Sequence, residues 1–200
     1  VAVYDKGREE HHNLISALHK AVRNSDPDAA LYWLGRMLEG GADPRYVVRR
    51  MLRMASEDIG MADPRALEQV AAASAAVEHM GMPECELALA QAAVYLSLAH
   101  KSNSLYLAYG EVKAEVRDRP GLPVPLAIRN APTAVMREAG YGAGYRYAHD
   151  QDSGVADLEC LPPELAGRRF YQPTQRGWEQ RIRERLAEIA AARDASKRSC

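Results

Sequence analysis

The sequence predicts an all-α protein, with a compact bundle of short helices, then a loop-rich stretch, then a terminal amphipathic helix. The composition is short of strand-forming residues, with a single phenylalanine, Phe170, in 200 residues, whereas alanine-rich stretches such as VAAASAAVEHM are long. Apolar residues recur at helical spacing from about residue 8 to residue 116. The dipeptide Asp-Pro, a strong helix start, occurs three times.

Each Asp-Pro dipeptide predicts the first turn of a helix. Proline loses nothing there because its missing N–H would be unpaired, while the preceding aspartate accepts a bond from free amides and opposes the helix dipole. Glycines placed shortly before the second and third dipeptides predict helix ends, so two helices are expected, at 27–39 and 44–59. The segments after the dipeptides share no further pattern, which argues against a repeat array. The dipeptides are Asp26-Pro27, Asp43-Pro44 and Asp63-Pro64.

The early helices each have one apolar face, which is typical of helices that pack on a shared core. An alanine-rich helix is predicted from 64 to about 80, and the segment from 84 to 100 is apolar almost all round. We expect that segment to form the buried central helix, followed by a sixth helix from about 104 to 116. The apolar stripes are Leu14, Leu18 and Val22; Leu31, Leu34 and Leu38; and Val48, Met51, Leu52, Ala55 and Ile59.

The pattern changes at RDRPGLPVPLAIRNAP, where closely spaced prolines exclude a continuous helix. A short helix is expected at 132–139, then a Gly/Tyr loop, an acidic connector, and a last helix in which Trp178, Ile182, Leu186 and Ile189 share a face. We therefore expect one domain, with a helical core at 1–118 and a loop-rich extension at 119–200. The extension has too few apolar residues to hold a core of its own.

Composition excludes several classes of protein. The net charge of −1 excludes a globally basic nucleic-acid binder, although a local basic patch remains open. The sequence has neither a run of about 18 apolar residues nor a basic-then-apolar leader, so a cytoplasmic protein is expected. Cys85, Cys160 and Cys200 are widely separated, which favours free thiols over disulfides or a zinc site.

We expect no catalytic, cofactor-binding or metal-binding residue in this chain. The phosphate-binding pattern GxxxxGK[ST] is absent, and GYGAG follows a helix rather than a strand. His11, His12 and His19 lack the i, i+4 pair of a helical metal site, so an exposed helix face is favoured. Ser16, Ser97 and Cys85 lie in no hydrolase motif.

Glu57 and Asp58 stand at the end of a predicted helix, where the dipole disfavours negative charge by ~0.3–1 kcal/mol each. Adjacent residues point to different sides of a helix, which argues against a paired acid and base. We predict an ion pair to arginine, in this chain or in a neighbour. With Asp63 close by, this corner is a candidate contact between subunits or with another module.

A basic stretch and a tyrosine loop provide an alternative function, the binding of DNA or of a partner protein. From Arg168 to Arg185 six arginines stand against two glutamates, and tyrosines alternate with glycine and arginine from Tyr141 to Tyr147. Phosphates attract such arginines and bases stack on tyrosine. An exposed helix face and a structural turn are the plain alternatives. The candidate contacts are Lys101, Arg129, Tyr145, Arg146, Arg168, Arg169 and Arg176.

Several long motifs resemble one family. ASEDIGMADPRAL, GMPECELALAQAAVYLSLAHKSNSLYLAYGEVK, GLPVPLAIRNAPTAVMREAGYGAGYRYAHD and LPPELAGRRFYQPTQRGWEQRIRERL are similar to the C-terminal region of the replication-associated recombination protein A family (RarA, also called MgsA). This family comprises the bacterial relatives of the Werner-helicase-interacting ATPase. The resemblance covers essentially all 200 residues.

The resemblance implies an all-helical module like the collar of clamp-loader ATPases, which assembles a homotetramer. It implies that ATP and Mg²⁺ bind in an N-terminal AAA+ module that this chain lacks. It also implies a full-length DNA-dependent ATPase that acts at stalled forks and DNA ends, is associated with the nucleoid, and has DNA and single-stranded-DNA-binding protein as partners. His100 stands where the family is expected to have proline, so Lys101-Ser102-Asn103 is expected to cap the next helix. The predicted function is oligomerisation without catalysis.

Overall fold

The computed structural model describes residues 8–151 and 153–198 of the chain. This part contains eight α-helices and no strand, which confirms the all-α class. The helices are α1 (Arg8–Arg23), α2 (Pro27–Glu39), α3 (Pro44–Met54), α4 (Arg65–Met80), α5 (Glu86–Leu98), α6 (Ser104–Asp118), α7 (Ala134–Glu138) and α8 (Glu179–Arg198). A π-helical turn, Ala55–Ile59, and a 3-10 turn, Gly60–Ala62, connect α3 to α4.

The chain divides into two compact units. Of the described residues, the first contains 8–108 and 171–180, and the second contains 109–151, 153–170 and 181–198. Both α6 and α8 therefore begin in the first unit and continue into the second.

Helices α1 to α5 build the core of the first unit. Helix α5 packs on α1, α2, α3 and α4, so its predicted central position is confirmed. Its core side includes Leu89 and Leu96, which are fully buried in the same apolar cluster as Met37 and Met51. Met is unbranched and fills irregular space, which suits a junction of several short helices at different angles.

The predicted helix starts are confirmed at the side-chain level. The carboxylates of Asp26 and Asp43 accept bonds from the amides of Ala29 and Arg45, both at 2.9 Å. The third aspartate, Asp63, accepts from the amide of Arg65 at 3.1 Å. Each carboxylate thus satisfies an amide that the first turn of a helix leaves unpaired.

Helices α3 and α7 differ from the predicted helices in their ends. Helix α3 stops at Met54 rather than Ile59, because the chain widens into the π turn, and Asp58 within that turn is 8% exposed. Helix α7 spans Ala134–Glu138 rather than 132–139, because Thr133 caps it by accepting the amide of Met136 at 3.3 Å.

The prediction that the fifth helix is buried all round is wrong on one face. Leu87 and Leu98 are 81% and 68% exposed. An apolar sequence without polar interruptions predicts burial but does not distinguish burial in the chain from burial by another chain. The helix also begins at Glu86 rather than 84, since residues 82–85 form a turn.

The second unit is rich in loops, as the prolines predict. Among its described residues Leu165 is the buried hydrophobic side chain, which agrees with the expectation of a small apolar content. Helix α8 begins at Glu179. Trp178 therefore precedes the first turn of the helix whose apolar stripe it was predicted to share.

None of the described helices combines the length and the apolar character needed to cross a membrane.

Leu96→Ala should destabilise the protein by about 2–5 kcal/mol, because it leaves a cavity in a fully buried site of α5. The matched change on α4, Leu67→Ala, should cost less than about 0.5 kcal/mol, since Leu67 is 46% exposed. Urea unfolding followed by circular dichroism measures both. Equal losses for the two variants would contradict the assigned core.

Candidate functional site

The predicted acidic corner is built around Asp58, whose two carboxylate oxygens are both occupied. His19 Nε2 lies 2.5 Å from Oδ2, and Arg23 Nε donates to Oδ1 at 2.7 Å. Burial alone would raise the pKa of Asp58, but the hydrogen bonds from His19 and Arg23 outweigh it and lower the pKa. Glu57 pairs with Arg53 at 2.7 Å, so the predicted ion pairs with arginine are confirmed, and both are within the chain.

Lys101 is bound into the end of α5. Its Nζ donates to the carbonyl oxygens of Ser97 and Ala99 at 2.8 and 2.6 Å, and to Ser25 Oγ at 3.2 Å. Desolvation lowers the pKa of Lys101, while the charge of Asp58 opposes that shift. Two of the three donors of the ammonium bind carbonyls that the end of the helix leaves unpaired, which is a capping role. A direct contact to DNA would require these bonds to break.

A buried carboxylate that was missed in the sequence connects the segments around this corner. Glu179 is 0% exposed. It accepts bonds from Ser102 Oγ at 2.7 Å, Tyr171 OH at 2.9 Å, Thr174 Oγ1 at 2.6 Å and the amide of Thr174 at 2.9 Å, and a further bond from Ser104 Oγ. Burial would raise the pKa of Glu179, but the donated hydrogen bonds lower it to about 2.

Residues 171–180 are held within the first unit by backbone contacts as well. The amide of Trp178 donates to the Ala62 carbonyl at 2.7 Å. Gly177 has a φ of +55°, and a Cβ placed there would lie 2.2 Å from the Ala62 oxygen. Arg176 Nη1 donates to the carbonyl of Lys101 at 3.4 Å. This segment, the π turn and residues 99–104 form one hydrogen-bonded joint.

The joint includes the segment that was predicted to cap α6. Ser102 Oγ accepts from the amide of Ser104 at 3.3 Å, which agrees with a capping role, and the amide of Ser102 donates to the Asp58 carbonyl at 2.8 Å. From the sequence, Glu179 was expected only to offset the positive charge of nearby arginines. The available signal for its burial was weak: a glutamate at a helix start, five residues after Thr174.

Asp63, the third residue of the predicted corner, lies elsewhere, at an open cleft beside α5. Its Oδ2 accepts from Tyr95 OH at 2.9 Å, and burial, followed by this bond, raises the pKa of Tyr95. The cleft has a volume of about 420 Å³, and its lining includes Val94 and Leu98. Whether these acids contact another subunit stays a prediction.

The candidate DNA contacts of the second unit are partly engaged within the chain. Arg129 donates to the Val124 carbonyl at 2.7 Å and stacks 4.9 Å from the Tyr141 ring centre. Arg168 stacks 5.3 Å from the ring of Phe170 and lies 3.8 Å from Glu111. Tyr145 and Tyr147 are exposed, as is Arg169, while Arg146 is half-buried. DNA binding by these residues stays a prediction.

One face of α5 presents to solvent a stripe that is apolar except for Gln91. Leu87, Gln91, Val94 and Leu98 follow one another at spacings of four, three and four residues, which places them on one side of the helix. In the first turn of α6, Leu105, Tyr106 and Leu107 are each more than 40% exposed. Exposed apolar residues grouped in this way are typical of a protein–protein interface.

Among residues 8–151 and 153–198, no three or more His, Cys, Asp or Glu side chains are grouped so that they could hold a metal ion. His11 lies against the ring of Tyr46, at 4.3 Å between ring centres. His19, as described above, binds Asp58. Cys85 and Cys160 are free thiols, and Cys200 lies outside the described residues.

A family model and several known proteins match this chain, and their names agree with one another. Residues 24–190 match the family model described as MgsA AAA+ ATPase C terminal. The chain is 54% identical over 184 residues to replication-associated recombination protein A of Coxiella burnetii, covering 92% of the chain and 42% of that protein. The protein of the same name from Escherichia coli K12 is 50% identical over 190 residues, covering 94% of the chain and 42% of that protein.

A eukaryotic relative is also similar. ATPase WRNIP1 of Dictyostelium discoideum is 49% identical over 172 residues, which cover 85% of the chain and 20% of that protein. The chain therefore spans about two fifths of the length of the bacterial relatives and about one fifth of the length of this one.

The Glu179 carboxylate should make stability depend on pH between about 4.5 and 2. Its folded pKa of about 2 lies below the ordinary value of 4.5, so its stabilising contribution is complete above pH 4.5 and is lost as pH falls toward 2. This contribution is about 3 kcal/mol. Urea unfolding at a series of pH values should show a shallower dependence for Glu179→Gln. Glu188→Gln, on the exposed part of α8, should keep the wild-type slope.

Gly177→Ala should destabilise the protein by more than about 3 kcal/mol, because the new methyl group meets the Ala62 carbonyl at a backbone angle that disfavours alanine. The matched control is Gly144→Ala, which has a φ of +77° and open space around an added Cβ, so it should cost about 1 kcal/mol. Thermal and urea unfolding compare the two. Similar losses would mean that Ala62 and Gly177 are not in contact.

Proposed function

This chain belongs to the MgsA AAA+ ATPase C-terminal family, as its motifs predicted, and we propose that it is the module through which such ATPases assemble as homotetramers. The open apolar stripe of α5 is the observation that carries this proposal. Leu87 and Leu98, at 81% and 68% exposure, lie on the helix that is otherwise the centre of the core.

The hydrophobic effect favours burial of that stripe by another protein surface. Fully burying a leucine side chain is worth about 1.5–3 kcal/mol, so a copy that covers Leu87 and Leu98 gains free energy that the isolated chain cannot obtain. The cleft beside Leu98, with a volume of about 420 Å³, offers concave surface for a side chain from that copy. The α5 stripe and the first turn of α6 are therefore the proposed contact surface.

A non-catalytic role agrees with the chemistry of the perturbed groups. Glu179, Asp58 and Lys101 are each occupied by several bonds within the chain. A general acid, base or nucleophile needs a free position for its substrate. We infer that these groups hold the helices in place rather than act on a ligand.

For the whole ATPase we propose ATP hydrolysis with Mg²⁺ in a separate AAA+ module, and action on DNA in replication-associated recombination. The family description and the names of the relatives support this. We further propose a cytoplasmic, nucleoid-associated protein with single-stranded-DNA-binding protein as a partner. In this proposal the present chain supplies the assembly that brings several ATPase modules to one DNA site.

Size-exclusion chromatography with light scattering should give about 88 kDa, four copies of the 22.1 kDa chain. Leu98→Glu should lower that mass, because a carboxylate on the α5 stripe must be desolvated at the interface. Val135→Glu is the control, since Val135 is 74% exposed on α7, outside the proposed surface, and should leave the mass unchanged. A wild-type monomer across micromolar concentrations would refute the proposed assembly.

A further inference from the structure

A second apolar groove lies between α2 and the N-terminal half of α5. It has a volume of about 430 Å³ and is lined by Leu31, Leu34 and Leu38 from α2 and by Leu87 from α5. We refer to it as the α2–α5 groove. Leu31 is 37% exposed and Leu87 is 81% exposed, so apolar surface remains open to solvent along both walls.

Gly35 lines this groove from the middle of α2. Glycine inside a helix is less stable than alanine, because its backbone loses more conformational freedom on folding. Nothing lies within 4 Å of a Cβ added at Gly35, so no contact within the chain requires glycine there. A glycine whose space is empty in its own chain fits an approaching helix from outside, because the missing side chain lets another backbone come close.

Three carboxylates surround the groove, those of Glu39, Glu84 and Glu86. None of the three takes part in an ion pair among the described residues of the chain. Like charges around one apolar surface repel one another, and an occupant that carries cations beside an apolar face relieves that repulsion. The groove thus fits an amphipathic helix with a basic rim.

Helix α8 has those properties. Ile182, Leu186 and Ile189 follow at spacings of four and three residues and so share one face, with Leu186 42% exposed. At 100° per residue, Arg183 and Arg185 flank that face on opposite sides. Within the second unit no other described helix packs along α8.

We propose that the α2–α5 groove of one copy receives helix α8 of a second copy. This inference rests on the proposed homotetramer and names one of its contacts. Leu186 enters beside Gly35, and the arginines that flank the stripe face the three glutamates. Every copy has one groove and one helix, so the contact is heterologous, and contacts of that kind close into rings when the rotation between copies allows it. In a ring of four copies, every groove is filled and every α8 is bound.

Two single variants test the two halves of the contact. Gly35→Leu fills the groove from within a helix that tolerates leucine well, and Leu186→Glu places a charge on the stripe of α8. Each should raise the protein concentration at half-assembly at least tenfold, measured by light scattering on dilution of the 200-residue chain. Gly110→Leu is the matched control, because Gly110 is also a helical glycine with open space, and it should leave assembly unchanged. Circular dichroism verifies that each variant keeps its helical content.

Charge exchange and mixing distinguish this contact from a general loss of solubility or folding in the variants. Arg183→Glu with Arg185→Glu should weaken assembly at least tenfold, and adding Glu84→Arg and Glu86→Arg should restore it to within about threefold.

A labelled Gly35→Leu chain, which keeps its α8, should co-elute with the Leu186→Glu chain, which keeps its groove. Each variant alone should not form that complex.

The outcomes separate this contact from the proposed assembly. A wild-type monomer refutes both. A wild-type tetramer that tolerates Gly35→Leu and Leu186→Glu overturns the inference and leaves the tetramer standing. Loss of assembly in Gly35→Leu but not in Leu186→Glu also overturns it, since the groove then holds something other than α8. Failure of the two variant chains to combine overturns the contact between copies.

Discussion

The buried carboxylate of Glu179 is the interaction on which the arrangement of the first unit depends. It joins Ser102 and Ser104, at the start of α6, to a segment about 75 residues later in the chain. Burying a charge without partners costs several kcal/mol, but the two serines, Tyr171 and the two donors of Thr174 compensate for lost hydration. Removal of any donor leaves part of the cost of burying Glu179 uncompensated. The start of α6 and residues 171–180 therefore depend on each other for stability.

The coupling extends through Ser102 to the π turn and to α1. The amide of Ser102 donates to the carbonyl of Asp58, and the carboxylate of Asp58 binds His19 and Arg23. A regular α-helix satisfies its own carbonyls, whereas a π turn changes the bonding pattern and redirects side chains. The wider turn therefore allows one residue to bond α1 with its side chain and residues 99–104 with its backbone. The core side of α5 packs on α1 to α4, while Leu87 and Leu98 on its other side stay exposed.

Local features were predictable and distant contacts were not. The aspartates before proline act within two or three residues, so Asp26 and Asp43 could be assigned as caps from the sequence. The α5 stripe was visible as an apolar segment, but periodicity could not show which side another chain covers. Glu179 was missed because its donors are spread over distant segments, and a glutamate among arginines is typical of an exposed helix. The ion pair of Asp58 was predicted from the helix dipole, yet its histidine partner depends on the packing of α1 against the π turn.

The joint at Glu179 also bears on assembly, because Glu179 is the first residue of α8. A helix that binds a partner from a free tether loses conformational freedom on docking, and that loss reduces its affinity. Here the first residue is fully buried and accepts bonds from four residues of the first unit, so the start of α8 is already ordered before any partner arrives. Gly177 contributes to the same order, since its lack of a side chain lets the amide of Trp178 reach the Ala62 carbonyl. The polar network and the apolar surfaces are thus complementary: hydrogen bonds fix where the helices begin, and the faces that those helices leave uncovered become available to a second copy.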